Sequence, residues 1–141
     1  MAAPLRTMLD TNIASVLIRS PNDALRARLR AHPLTSVCVS VVTEAELLYG
    51  LARRPEATAL KSAVEAFLRH VDVLPWDSAA AAAYATLRAT LEGRGNPLGN
   101  LDTMIAAHSL ATASLLITND KALLRTPELR AEDWSAPQPT A

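Results

Sequence analysis

Short apolar, β-branched runs alternate with longer segments of helical spacing along almost the whole chain. Strands that alternate with helices are typical of a mainly parallel sheet covered by helices. In such sheets, ligands bind outside the carboxyl ends of the strands. We therefore predict an α/β sandwich with its functional site at that edge. The predicted strands cover 5–9, 36–40, 71–76 and 114–118.

Breakers and caps divide the helical segments. Pro21 and Pro55 each end a helix, and Asp77 is the expected N-cap of an alanine-rich one. In the helix that follows Thr43, the spacing predicts that Ala45, Leu48 and Ala52 face the core, and the strand at 71–76 is expected to be buried. The predicted helices cover 12–18, 23–32, 43–54, 56–71, 78–93, 101–113 and 119–124, with a last edge strand at 128–134.

The composition is that of one globular domain. The chain has 141 residues, of which 50% are hydrophobic and 20% charged, and we expect a single domain over 1–134 and a flexible tail over 135–141. We see no signal peptide and no stretch that could span a membrane, and the single Cys38, expected in a buried strand, excludes an internal disulfide. These features predict a cytoplasmic protein. Equal numbers of basic and acidic residues, 14 each, give no sign of nucleic-acid binding.

Two strands end in similar sequences. "MLDTN" closes an apolar run with Asp10, and "LLITND" closes another with Asp120. If both strands are parallel and central, both carboxylates lie at the same edge of the sheet. Each acid also has a structural interpretation, as a turn residue or a helix N-cap.

Two further acids are able to reach that edge. If a helix starts at Thr43, "TEAE" is a capping box that uses Glu46. If Ser40 is the cap instead, Glu46 lies in the second turn and is free to face the cleft. Asp102 lies in the first turn of its helix, a position that the helix dipole favours without any function.

Four carboxylates in one cleft would repel one another unless a cation lies among them. Mg²⁺ and Mn²⁺ prefer oxygen ligands of this kind, and they can activate water for attack on a phosphodiester. The three histidines and one cysteine do not have zinc-site spacing. A hard divalent ion is the predicted cofactor.

Taken together, "MLDTNI", "VSVVTEAELLYG", "GNPLGNLDTMIAAHSL" and "LLITNDKALLRTPELRAEDW" resemble the PIN-domain toxins of the VapC type, in the same order and over nearly the whole chain. The resemblance implies a PIN-like α/β/α sandwich and an endoribonuclease that depends on Mg²⁺ or Mn²⁺. It favours Glu46 over Glu44. The implied catalytic and metal-binding acids are Asp10, Glu46, Asp102 and Asp120, and the implied polar support comes from Thr11, Asn12, Thr118 and Asn119.

The same resemblance implies partners. A VapB-type antitoxin would inhibit the toxin, and the chain would form a homodimer, with Leu48 and Tyr49 as candidate interface residues. Relatives cleave structured RNAs, including initiator tRNA and a ribosomal RNA loop, and the "ELLYG" sequence slightly favours tRNA as the substrate. His108 is either a general base or, the interpretation we favour, a residue at the edge of a packed helix. Trp76, Trp134 and Tyr49 are expected to pack rather than to stack on bases.

Two alternatives remain from other classes. Another metal-dependent phosphohydrolase is conceivable, but phosphatases of the haloacid dehalogenase type need a second aspartate two residues after the first, where this chain has Asn12. A catalytically inert, PIN-like protein-binding module would be expected to lack one of the acids, and none is missing.

Overall fold

The computed structural model describes residues 6–20, 23–31 and 36–135. Within these ranges, strands and helices alternate as the sequence predicts. The tail expected at 135–141 lies outside the described residues except for Ser135, as does the Leu5 end of the first predicted strand. The elements are β1 (Thr7–Leu9), α1 (Thr11–Arg19), α2 (Asp23–Arg30), β2 (Val37–Ser40), α3 (Val41–Ala52), α4 (Thr58–His70), β3 (Asp72–Leu74), α5 (Ser78–Gly93), α6 (Asn100–Ala111), β4 (Leu115–Ile117), α7 (Lys121–Leu124) and β5 (Ala131–Glu132).

The five strands in the described part of the chain form one sheet in the order β3-β2-β1-β4-β5, and every neighbouring pair is parallel. In the centre, Leu9 of β1 is aligned with Val39 of β2 and with Ile117 of β4. The chain builds β2 and β3 on one side of β1, and then β4 and β5 on the other. The strand order therefore reverses between β1 and β4, which is where ligands bind in open parallel sheets.

Helices cover both faces of the sheet because side chains alternate along each strand. Met8 and Leu116 point to the face covered by α5, α6 and α7, whereas Leu9 and Ile117 point to the face covered by α1, α2 and α4. All four side chains are fully buried, and each such residue contributes about 1.5–3 kcal/mol of hydrophobic free energy. The predicted α/β/α sandwich is confirmed.

The predicted face of α3 is wrong. The helix begins at Val41, with Ser40 as its N-cap, and the residues it buries are Val42, Thr43 and Leu47. The three residues predicted to face the core are all exposed. Apolar residues surround most of this helix, so helical spacing alone does not select the face, and the buried set includes a polar threonine.

Two smaller predictions concern the edges of the sheet. β3 is an edge strand with Asp72 exposed and Val73 and Leu74 only partly buried, so the expectation of a buried strand is wrong. The last strand is an edge strand, as predicted, but it is limited to Ala131–Glu132.

Cys38 is buried in β2, as expected. No helix in the described residues is long and apolar enough to cross a membrane.

Candidate active site

Two aspartates lie side by side at the point where the strand order reverses. Asp10 directly follows β1, and its amide donates to the Ile117 carbonyl at the end of β4, at 3.1 Å. Asp120 follows the same strand β4 after two polar residues. The two similar strand endings of the sequence therefore meet at one edge of the sheet.

Asp10 is held by the helix that it begins. It is the N-cap of α1, and its Oδ1 accepts a hydrogen bond from the Ile13 amide at 2.8 Å. Only 4% of the residue is exposed, and this burial raises the pKa of its carboxyl. Hydrogen bonds from Thr118 and Ile13 partly offset the rise in pKa. The charges of Asp102 and Asp120 raise it further, which shows that these three acids share one electrostatic environment.

Glu46 reaches the site because α3 starts directly after β2. With Ser40 as the cap, Glu46 lies in the second turn, and its Oε1 accepts a hydrogen bond from the Thr11 hydroxyl at 2.6 Å. The Thr11 hydroxyl also lies 3.1 Å from that of Thr43, which is fully buried. Sequence reasoning missed Thr43, although its position one turn before Glu46 on the same helix face was a usable signal. Among the described residues, the side chain of Glu44 has no hydrogen-bond partner.

Asp102 differs from the other acids in having no fixed partner. It lies in the first turn of α6 and is half-buried, and within the described ranges no hydrogen bond or ion pair to its carboxylate is recorded. Burial raises the pKa of Asp102, and the nearby charges of Asp120 and Glu46 raise it further. Its carboxylate is therefore the one most in need of a compensating charge.

Asp120 is the N-cap of the short helix α7. Its Oδ1 accepts from the amides of Ala122 (2.8 Å) and Leu123 (3.2 Å), and its own amide donates to the Thr118 hydroxyl at 3.0 Å. Beside it, the Asn12 amide donates to Asn119 Oδ1 at 2.7 Å.

The Asn12–Asn119 contact joins the two strand endings across the mouth of the site. The four polar residues predicted to support the acids, Thr11, Asn12, Thr118 and Asn119, all lie at this edge and bond to one another's elements or to the acids.

The donor set suits a hard divalent cation. Among the described residues, no three His, Cys, Asp or Glu side chains converge into a ready-made metal cluster. That agrees with the way proteins hold Mg²⁺, through one or two carboxylates together with waters and phosphates rather than in an all-protein cage. Burial is the largest cause of the raised pKa values of Asp10 and Asp102, and nearby acids add to it; a cation among these carboxylates would favour their charged forms.

His108 links three elements behind the acids. It is buried, with Nδ1 2.7 Å from the Ser40 hydroxyl, and its imidazole also bonds to the backbone of Pro75. Because the Pro75 backbone offers only a carbonyl, we assign Nε2–H as the donor to it and Nδ1 as the acceptor from Ser40. Ser40 Oγ in turn accepts from the Val42 amide at 3.1 Å. Burial lowers the pKa of His108, and the charge of Asp77 and the Pro75 contact oppose this.

His108 is therefore a neutral residue in the interior, not at the edge of a packed helix as predicted. A second bond anchors the same helix, because Trp76 Nε1 donates to the Met104 carbonyl at 3.1 Å. Trp134 is 2% exposed, so its predicted packing role is confirmed. Tyr49 is 63% exposed and lies under the Arg53 guanidinium at 5.4 Å, so it does not pack in the interior of this chain.

The chain combines a parallel sheet with acidic residues at the point where the strand order reverses. Comparison with known proteins identifies the protein family that has this arrangement. The family described as "PIN domain" matches residues 7–129. The tRNA(fMet)-specific endonuclease VapC of Shigella flexneri is 36% identical over 132 residues, which is 93% of this chain and 99% of that protein. The protein of the same name from Salmonella typhimurium is 33% identical over 131 residues, or 92% of this chain and 98% of that protein.

Solved structures agree with the sequence comparison. DNA-bound VapBC from Salmonella typhimurium superposes with a TM-score of 0.84 at 34% identity, covering 92% of this chain and 98% of that chain. VapBC2 from Rickettsia felis, bound to a DNA fragment from its promoter, gives a TM-score of 0.84 at 30% identity, covering 92% and 99%. The chain belongs to the PIN-domain family and, within it, to the VapC ribonucleases.

Proposed function

We propose that this chain is the toxin of a VapBC-type toxin–antitoxin pair and that it is an endoribonuclease dependent on Mg²⁺ or Mn²⁺. The substrate we propose is tRNA, with initiator tRNA as the first candidate, because two of the similar proteins are named for that substrate. An intact tRNA substrate makes the cytoplasm the proposed location.

One observation supports the proposal above the others. Asp10 and Asp102 both have a raised pKa, partly because acids from separate elements repel them at the edge of the sheet. Asp10 and Asp120 cap helices, but the proximity of the acids to one another adds nothing to the stability of the fold, so their grouping supports a role other than packing. Strongly perturbed carboxyls that lie together in a cleft are typical of functional sites.

The residues of the site would have different roles. Asp10, Glu46, Asp102 and Asp120 would hold the divalent ion, one or two of them directly and the others through its water ligands. When bound, the ion would supply charge for the transition state and lower the pKa of water. Thr11 fixes the rotamer of Glu46 through its hydrogen bond. In both Asp10 and Asp120, the oxygen Oδ1 accepts hydrogen bonds from backbone amides of the helix that the residue caps. These carboxylates are therefore oriented before any ligand arrives.

We also propose a VapB-type antitoxin and a second copy of the chain as partners. Similar structures are VapBC complexes, which supports the antitoxin. Leu48 and Tyr49 support a homodimer, because they are 47% and 63% exposed and adjacent on α3. The mass of the co-purified complex in solution tests both partners, and a lone monomer at every concentration would contradict them.

The activity is tested by separating the protein from any antitoxin, incubating it with total tRNA, and sequencing the new RNA ends. We expect cleavage in Mg²⁺ or Mn²⁺ and none in EDTA. Asp10→Asn and Asp102→Asn should each slow cleavage at least about 100-fold, since each removes several kcal/mol of charge stabilisation. Glu46→Gln should also be impaired.

Two acids outside the candidate site provide matched controls. Glu44→Gln changes the same helix, and Asp72→Asn removes an exposed acid at the opposite edge of the sheet. Both should cleave at the unsubstituted rate. Full activity in EDTA, or in either of the Asp10 or Asp102 variants, would refute the proposal. Absence of Mn²⁺ binding by calorimetry would instead favour the inert protein-binding module.

A further inference from the structure

A groove runs beside the acidic site, between the loop that leads into α6 and the helix α7. It has a volume of about 230 Å³. One wall is formed by Asn96 and Leu98, just before the helix that carries Asp102, and the other by Ala122 and Arg125, just after Asp120. The groove is thus bounded by the loop that precedes the helix of Asp102 and by the helix that Asp120 caps.

The two arginines that line the groove differ in how far their charges are compensated. Arg94 lines it but is held by Glu128 through two hydrogen bonds, of 2.9 and 2.7 Å, so its charge is largely compensated. Arg125 is exposed, and no ion pair to it is recorded within the described ranges. Lys121, on the same turn of helix, is also exposed. The accessible positive charge therefore lies immediately next to Asp120.

The distance along α7 from Asp120 to Arg125 is comparable to the spacing of nucleotides in a nucleic-acid strand. Asp120 and Arg125 are five positions apart, which is about 7.5 Å along a helix axis at 1.5 Å per residue. The axial rise of duplex DNA is roughly 3.4 Å per nucleotide of each strand, and successive phosphates are farther apart than this rise, so the separation corresponds to about one or two nucleotides. A phosphodiester that lies at the acids would bring a neighbouring phosphate of the same strand to Arg125.

We propose that this groove binds the RNA backbone next to the cleaved bond, with Arg125 contacting a phosphate and Asn96 offering an uncharged amide. The inference rests on the proposed ribonuclease function and specifies how its substrate is held. Four carboxylates repel a polyanion, so a nucleic-acid substrate needs cations beside them to approach at all. RNA is favoured over an acidic protein segment because the walls of the groove directly adjoin, along the chain, the segments that carry Asp102 and Asp120, where the scissile phosphate would lie.

The test measures binding rather than cleavage. In an Asp10→Asn background, freed from antitoxin, fluorescein-labelled tRNA is titrated by anisotropy from about 50 to 200 mM salt. We expect Arg125→Ala to weaken binding about fivefold or more. The slope of log K against log salt should fall by about 0.7 to 0.9, the value of one phosphate contact. Arg125→Lys should recover part of the affinity.

Arg69→Ala is the matched control, since Arg69 is exposed at the end of α4, beside the amino ends of the strands. It should leave both the affinity and the slope nearly unchanged. Equal effects of the Arg125 and Arg69 variants would overturn the proposal, as would a loss of antitoxin binding by Arg125→Ala without a loss of tRNA binding. If the unsubstituted chain cleaves no RNA while Arg125→Ala still weakens tRNA binding, the groove assignment stands and the ribonuclease proposal fails.

Discussion

Asp10 and Asp102 belong to the same site but are held in different ways. Asp10 is a helix N-cap that is almost fully buried, and its Oδ1 is occupied by the Ile13 amide. Asp102 caps nothing, is half-buried, and gains its position only from the helix on which it lies. We propose that Asp10 has a structural as well as a chemical task, whereas Asp102 has a chemical task alone.

This difference determines what a mutation at each acid reports. A variant of Asp10 mixes loss of a cap with loss of a charge, so an inactive protein could simply be unstable. A variant of Asp102 removes charge from a place where charge is unfavourable for the fold, because burial and neighbouring acids raise its pKa. Activity and stability should therefore change together at Asp10 and in opposite directions at Asp102.

The largest effect is expected from Asp10→Ala. It should abolish metal-dependent cleavage and also lower the free energy of unfolding by about 1 kcal/mol, within a range of roughly 0.5–2 kcal/mol for lost caps. Asp10→Asn should abolish cleavage with a much smaller loss of stability, because asparagine is also a good N-cap. Urea unfolding monitored by circular dichroism, together with the cleavage assay, measures both quantities.

Asp102→Ala provides the matched comparison for this result. It should lose cleavage without the loss of stability, since no cap is removed. If Asp102→Ala destabilises the protein as much as Asp10→Ala does, then the distinction between the two acids is wrong.

A second prediction tests how Asp102 is positioned. His108 ties α6 to Ser40 and Pro75, so breaking these bonds should move α6 and Asp102 while leaving the Asp10 cap intact. His108→Asn retains an acceptor for Ser40, and His108→Gln retains a donor to Pro75. Each should lower the free energy of unfolding by about 1–3 kcal/mol, the cost of an unsatisfied buried polar group, and should weaken Mn²⁺ binding in calorimetry.

Ser109→Ala is the control on the same helix. Ser109 is equally buried, but its hydroxyl bonds only to the Ala106 carbonyl within α6. It should leave the Mn²⁺ affinity unchanged whatever it does to stability. Unchanged Mn²⁺ affinity in both His108 variants would mean that His108 acts in packing alone.

The sequence predicted the parts of the site that are encoded locally. Asp10 follows β1 directly and Asp120 follows β4 after two polar residues, so alternation and parallel pairing were enough to place them together. Glu46 could not be placed until the start of α3 was known, because Thr43 and Ser40 are both acceptable caps. The structure selects Ser40, and this choice turns Glu46 toward Thr11.

The contacts that could not be predicted are between residues distant in sequence. His108 and Ser40 are 68 positions apart, and nothing near either residue indicates the other. The buried face of α3 was predicted wrongly for a related reason, since many of its residues are apolar and only packing against α1 and α4 selects among them. Spacing within one element was therefore informative, while side-chain pairing between elements was not.

The smallest effect is expected from Asp102→Asn on the stability of the metal-free protein. An acid whose pKa is raised on folding stabilises the fold most below its ordinary value, near 3.9, and loses that contribution as the pH rises through its raised value. At neutral pH in EDTA, Asp102→Asn should therefore melt at a higher temperature than the unsubstituted protein. The gap should close toward pH 4, and added Mn²⁺ should reverse it by stabilising mainly the protein that keeps Asp102. The control is Asp72→Asn, which should show neither trend. A melting temperature of Asp102→Asn that lies below that of the unsubstituted chain at neutral pH in EDTA would show that the Asp102 charge is compensated within the chain itself, and that no cation is needed to offset it.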